Sequence, residues 1–223
     1  MAVKKPSLNA KAFDSMRDWI THLEKTKRLV RTKKGVPLKY TLAAIAKQLD
    51  GEKAVLFPNP DHHPIAVVSG IVSKRDWIAE AMGISNNMLL EHFREAVLNP
   101  IPWKEIKKAQ AQEVVIRKNI DIKRILPIPT HNEHDSGAYI TAGLVIARNP
   151  QSGEQNVSIN RLQINGPDSL GILILPRDLN KFFEMAENKD QSLPVSISIG
   201  SDPMSLLASQ AILPLNTDEL GVA

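Results

Sequence analysis

The run Gly153-Glu154-Gln155-Asn156-Val157-Ser158-Ile159-Asn160-Arg161 constrains the fold more than any other part of the chain, because it packs a turn, an amide and a guanidinium between two apolar stretches. Upstream, residues 129–141 lead into a β-branched run that reads as a strand; downstream, Leu162 to Leu175 reads as a second. Two extended runs joined by a polar, glycine-containing turn predict a hairpin. From Val157 to Gln163 the residues alternate, with Val157, Ile159 and Arg161 on one face and Asn156, Ser158 and Asn160 on the other, as a half-buried strand requires. By that period Asn156 and Arg161 point in opposite directions unless a twist or bulge re-aims one of them. The amide oxygen of Asn156 suits a hard cation.

Ahead of this hairpin, elements alternate. A helix is expected over Asn9 to Leu29, with Phe13, Met16, Trp19, Ile20 and Leu23 on its apolar face. Leu29 to Arg31, Ala54 to Pro58 and Ile65 to Ile71 read as strands, and Tyr40 to Leu49, Arg75 to Met82 and Asn86 to Leu98 as helices. Such alternation predicts an α/β amino-terminal domain over residues 1–112. Asn99-Pro100-Ile101-Pro102-Trp103 and the lysine-rich Lys104 to Lys108 end it. Residues 113–223 form a second, strand-dominated domain, with strands expected at Val114 to Ile116, Ile125 to Pro129, Ile140 to Ala147, Val157 to Gln163, Leu170 to Leu175 and Val195 to Ile199. One helix interrupts them at Phe182 to Ala186. Trp19, Trp77 and Trp103 all lie before this domain and are expected in core or interdomain packing.

Composition removes several function classes. No run of eighteen apolar residues exists, so no membrane-spanning helix is expected. Met1-Ala2-Val3-Lys4-Lys5-Pro6 is basic but lacks the apolar core of a signal peptide. With no cysteine the chain has neither disulfides nor thiolate metal sites, which suggests a cytoplasmic protein. In a chain of net charge +4, Lys25, Lys27, Arg28, Arg31, Lys33 and Lys34 form the densest basic run, which carries no interleaved aromatic residue. That run reads as a solvated face, not as a nucleic-acid reader. His62-His63, flanked by Pro60-Asp61 and Pro64, reads as a surface turn, and His131, His134 and Asp135 match no compact metal spacing.

The combination H-x-x-D-x-G-A-Y-I-T ending at Thr141, followed by N-P-Q-S-G-E-Q-N-V-S-I-N-R ending at Arg161, resembles the UbiD family of reversible decarboxylases, which use prenylated flavin mononucleotide. Leu193 to Gly200 resembles the family's strand before the cofactor loop. Leu207-Ala208-Ser209, Pro214 and Asp218-Glu219 resemble its metal-site loop. The resemblance runs from about Leu8 to the end of the chain, as an ordered series of motifs. It implies that the second domain is a split β-barrel related to flavin reductases, in line with the strand-rich pattern, and that the activity is non-oxidative decarboxylation of an aromatic or α,β-unsaturated acid. An electron pair left on carbon needs an organic sink, which the modified flavin provides.

Carried over residue by residue, the resemblance makes Arg161 the catalytic arginine that orients the substrate carboxylate, a task for a bidentate guanidinium. It lines the cofactor with Asn156, Val157, Ser158, Ile159, Asn160, Arg161, Arg177, Asp178 and Glu219. A divalent cation, manganese in the family, would hold the flavin phosphate through Asn156, Asp178 and Glu219. A potassium ion would sit among Val157, Ala208, Ser209, Ala211 and Glu219. The family's metal histidine has no counterpart: Pro176-Arg177-Asp178-Leu179 stands there, and Asp178 reads either as a carboxylate replacement or as the N-cap of the following helix.

The family continues past the metal glutamate to a glutamate pair and a further domain, so the barrel is expected to be incomplete at the C-terminus and this chain inactive alone. A flavin prenyltransferase is the implied cofactor supplier, and a homo-oligomer the implied full-length assembly. Two other readings stay open: a short flavin- or partner-binding paralogue without catalysis, and a flavin reductase-like oxidoreductase, for which no nicotinamide fingerprint is present.

Overall fold

Helix α1 (Met16–Lys25) starts where Ser15 accepts a hydrogen bond from the Asp18 amide at 3.1 Å. Trp19 and Leu23, one turn apart on it, are fully buried, and Leu23 alone contributes about 2 kcal/mol by burial. The Trp19 indole N–H also finds a partner, donating to the Ile71 carbonyl at 2.7 Å. The computed structural model describes residues 12–215 and 217–223, so Asn9, Ala10 and Lys11 of the expected first helix lie outside the described residues.

Strands β1 (Leu29–Arg31), β2 (Ala54–Phe57) and β3 (Val67–Ser69) form a three-stranded sheet in that order, β1 parallel and β3 antiparallel to the central strand. Every residue of β2 is buried, as its central place demands. Helices α2 (Thr41–Leu49), α3 (Arg75–Ala81) and α4 (Leu89–Leu98) complete this α/β unit.

The next stretch departs from expectation. Val114, Val115 and Ile116 are exposed and form no strand: β-branched side chains favour a sheet only where one is there to join. The strand expected over Ile125 to Pro129 is absent. Helix α5 (Ile122–Ile125) takes its start, and Pro127 and Pro129 remove two donors that a ladder would need. Trp103 is 42% exposed and so is not a core residue, unlike Trp19 and Trp77.

The hairpin forms. Strands β4 (Tyr139–Arg148) and β5 (Gln155–Ile164) pair antiparallel from Arg148↔Gln155 onward. Buried Asn149 organises the turn, its side-chain oxygen accepting from the Gln151 amide at 2.8 Å and its carbonyl from Gly153 at 2.9 Å. Gly153 has φ +84°, which explains glycine there. Strands β6 (Leu170–Ile172) and β7 (Val195–Ile199) extend the sheet to the order β6-β5-β4-β7, all antiparallel. The single run expected from Leu162 to Leu175 is broken by Asn165-Gly166-Pro167-Asp168 into the end of β5 and the short β6.

Helix α6 (Asp178–Glu187) lays Leu179 and Phe182 on the face of this sheet that carries Val145, Ala147, Leu162 and Ile164. Helix α7 (Pro203–Ala208), not expected from the sequence, begins at Asp202, whose carboxylate accepts from the Met204 and Ser205 amides. Its Met204 and Leu206 pack against the Trp19 core. Because β6 pairs only with Leu162 to Ile164, the outer edge of β5 from Gln155 to Arg161 has no strand partner among the described residues. No helix of the described residues is long and apolar enough to cross a membrane.

Candidate cofactor site

The unpaired edge of β5 forms one wall of a cavity of about 550 Å³, a volume in the range of small-molecule sites. Asn156 to Asn160 supply that wall, the segment from Ile174 to Asp178 closes one side, and Ser209 to Leu213 with Glu219 close the other. Asn160 holds the first closure, its amide donating to the Leu173 carbonyl at 3.3 Å while accepting from Ser158 Oγ at 2.8 Å.

Glu219 opens a short 3-10 turn (Glu219–Gly221) and is 6% exposed. Its Oε2 accepts the Val157 main-chain N–H at 2.7 Å, using a donor that a neighbouring strand would otherwise take. Burial pushes its carboxyl up to about 7; the Val157 hydrogen bond opposes this, and the charges of Asp218 and Asp178 add to it. Asn156 is buried too, and its Nδ2 has no hydrogen-bond partner. A buried orphan of this kind requires an explanation. Turning the amide by 180° puts its oxygen in the same place, so the position accepts a cation as readily as an acceptor.

Asp178 is the first residue of α6, not its N-cap: Arg177 holds that position without a side-chain cap bond. The Asp178 carboxylate instead pairs with Lys181 Nζ at 3.0 Å, one helical turn on. Lys181 lines the same cavity and escaped the sequence reading, although its i+3 spacing from Asp178 signals the pair. Among the described residues no three His, Cys, Asp or Glu side chains gather closely enough to hold a metal alone. An ion here would depend on the Asn156 amide and on oxygens brought by a ligand, which is how a hard cation sits on a phosphate.

Of the expected site residues, Asn156, Val157, Ser158, Ile159, Asn160, Arg177, Asp178, Ser209, Ala211 and Glu219 surround the one cavity. Ala208, next to Ser209 in the chain, is buried and does not line it. Arg161 is not part of the lining. Between Ile140 and Gly143 strand β4 carries an extra residue, so that Thr141 and Ala142 together oppose Arg161. The exposed Arg161 guanidinium lies 5.7 Å over the Tyr139 ring. His131 is near enough to feel it: burial lowers the imidazole pKa, Asp135 opposes, and Arg161 lowers it further. A second cavity of about 330 Å³ lies on the other sheet face by Leu144 and Ile146, but there Ser198 bonds Ser201 and Asp202 caps α7, leaving neither in need of a ligand.

Known proteins with this arrangement are informative. The family model for the 3-octaprenyl-4-hydroxybenzoate carboxy-lyase Rift-related domain matches residues 104–223, and that for the carboxy-lyase N-terminal domain matches residues 20–97. The chain is 34% identical over 169 residues to the anhydromevalonate phosphate decarboxylase of Methanothermobacter thermautotrophicus, covering 76% of this chain and 39% of that protein. It is 29% identical to the gallate decarboxylase of Lactiplantibacillus plantarum, covering 76% and 37%. An evolved dimeric form of the UbiD-class enzyme HmfF from Pelotomaculum thermopropionicum, solved in complex with prFMN, superposes with a TM-score of 0.92 at 44% identity, over 94% of this chain and 50% of that one. The chain thus spans half or less of the length of these proteins. With one of the two family models matching more than half of its residues, the chain belongs to the UbiD family.

Proposed function

We propose that this chain carries the phosphate-binding part of a prenylated-FMN site in a reversible, non-oxidative decarboxylase of an aromatic or α,β-unsaturated carboxylic acid. The observation that carries the reading is the pairing of two buried, underused polar groups at one strand edge: the orphaned amide of Asn156 and the carboxyl of Glu219, raised to about 7. Both are what a cation between protein and phosphate would satisfy.

The residues present fit that group. Asn156, Asp178 and Glu219 would hold a manganese ion, with Asp178 exchanging its Lys181 partner for the metal. The backbone at Val157, Ala208 and Ala211, with Ser209 and Glu219, would hold potassium. Val157 to Asn160 would line the flavin. When bound, the prenylated flavin supplies the electron sink that no side chain offers. Arg161 would bind and orient the substrate carboxylate from the sheet end of the site, held in place by Tyr139. The four-stranded antiparallel sheet is read as the first part of a split β-barrel of the flavin reductase type, in residues 113–223, after an amino-terminal domain in residues 1–112. A flavin prenyltransferase would supply the cofactor, and a homo-oligomer would be the working form; the dimeric HmfF structure supports the latter.

The test is native mass spectrometry of the chain after co-expression with a flavin prenyltransferase. A flavin-sized mass plus a metal, lost in Asn156→Ala and Glu219→Ala, supports the reading. Retention of flavin in both variants contradicts the assigned anchor.

A further inference from the structure

The segment Asn99-Pro100-Ile101-Pro102-Trp103 marks a boundary in the sequence, but in the structure it lies directly on the turn that carries Glu219. Pro100 and Pro102 have no N–H, so Ile101 holds the one main-chain donor between them, and it donates to the Gly221 carbonyl at 2.7 Å. The contact is close: a Cβ at Gly221 would meet the Ile101 carbonyl oxygen at 3.2 Å and Pro100 Cβ at 3.3 Å, which accounts for glycine there.

One step on, the Trp103 indole N–H donates to Asp218 Oδ2, and the same oxygen accepts from Gln155 Nε2 at 3.0 Å. The other carboxylate oxygen of Asp218 caps the turn at the Leu220 amide, 2.9 Å away. The Trp103 ring is steadied by the Arg148 guanidinium, 5.6 Å from its centroid. Asp218 is therefore fixed from three directions, and Glu219 follows it in the chain.

The geometry points to Trp103 as a positioning residue: through Asp218, the proline-stiffened strap holds the Glu219 carboxylate at the edge of β5, where it meets Val157 N–H and a cation. Side chains that orient metal ligands commonly matter about 10–100-fold in metal affinity. Trp103 touches neither cofactor nor substrate in this role. The inference rests on the proposed function only where it invokes the cation.

The experiment uses the full chain and two readouts. Trp103→Phe keeps the ring beside Arg148 and removes only the N–H. Amide hydrogen exchange at Val157 reports the Glu219 contact directly, and manganese binding, followed by the electron paramagnetic resonance of the free ion, reports the site. We expect Val157 to exchange at least tenfold faster, manganese Kd to rise about tenfold, and the melting temperature to stay that of the parent. Gly221→Ala, which pushes the strap outward, should act in the same direction, and serves if Trp103→Phe does not fold. If the parent chain binds no manganese, the cation reading fails, and the strap stands or falls on Val157 exchange alone. Unchanged Val157 exchange in both variants overturns the inference.

Discussion

Glu219 Oε2 and the Val157 main-chain amide meet at 2.7 Å, so a side chain from a turn near the end of the chain occupies a hydrogen-bonding position on the open edge of β5. This contact makes the edge a site instead of a pairing surface. It also keeps a carboxyl where burial disfavours its charge, and the first prediction follows from that.

Between the ordinary 4.5 and the raised value of about 7, folded Glu219 keeps a proton that the unfolded chain has released. Its contribution to stability is therefore complete below pH 4.5, declines as pH rises, and is gone above 7. The size is about 3 kcal/mol. Urea unfolding at pH 5 and pH 8 should show this loss in the parent, with Glu219→Gln flattening it. Equal pH slopes in parent and variant would contradict the buried placement.

Asn156→Ala removes an amide whose nitrogen has no partner, so the metal-free chain should lose no more than about 1 kcal/mol. Saturating manganese at 100 times its Kd should stabilise the parent by about 2.7 kcal/mol and the variant hardly at all. A variant stabilised as much as the parent would remove Asn156 from the ligand set.

Burial lowers the pKa of His131, Asp135 opposes it, and the charge of Arg161 lowers it further. Arg161→Gln should raise the His131 midpoint, as read from its ring-proton shifts by NMR, while Asp135→Asn should lower it. A midpoint indifferent to Arg161 would mean that the guanidinium lies elsewhere, such as in the cavity.

Phe182 anchors α6 to the sheet and is 1% exposed. Phe182→Ala should cost about 3–5 kcal/mol in chemical denaturation and loosen the Asp178 end of the cavity. A cost below 1 kcal/mol would mean that α6 does not seat as described.

Much of this was legible in the sequence, for identifiable reasons. The alternation through Val157 to Gln163 and the Asn149–Gly153 turn chemistry announce the hairpin, and Asn156 and Glu219 come together as their motifs imply. That Arg161 stays out of the cavity agrees with the strand period, which sets it opposite Asn156; the bulge beside it at Thr141 and Ala142 was not legible, since nothing in their types marks an extra residue. Val114 to Ile116 carry the side chains of a strand without the sheet. Helix α7 did signal itself, through an aspartate followed by proline at its start, but six residues hold too little periodicity to be seen. Of the two roles its residue type suggests, Trp103 fills the contact between the two sequence halves and not the core: its N–H bonds Asp218 and its ring lies by Arg148, partners no local pattern could name.

The most direct test of the central claim is anomalous diffraction at the manganese edge from crystals of the chain soaked with manganese and FMN. The account predicts one strong peak within coordination distance of the Asn156 amide oxygen and the Glu219 carboxylate, with flavin phosphate density beside it. A flavin bound with no manganese peak at these two residues, or a peak elsewhere on the chain, would contradict it.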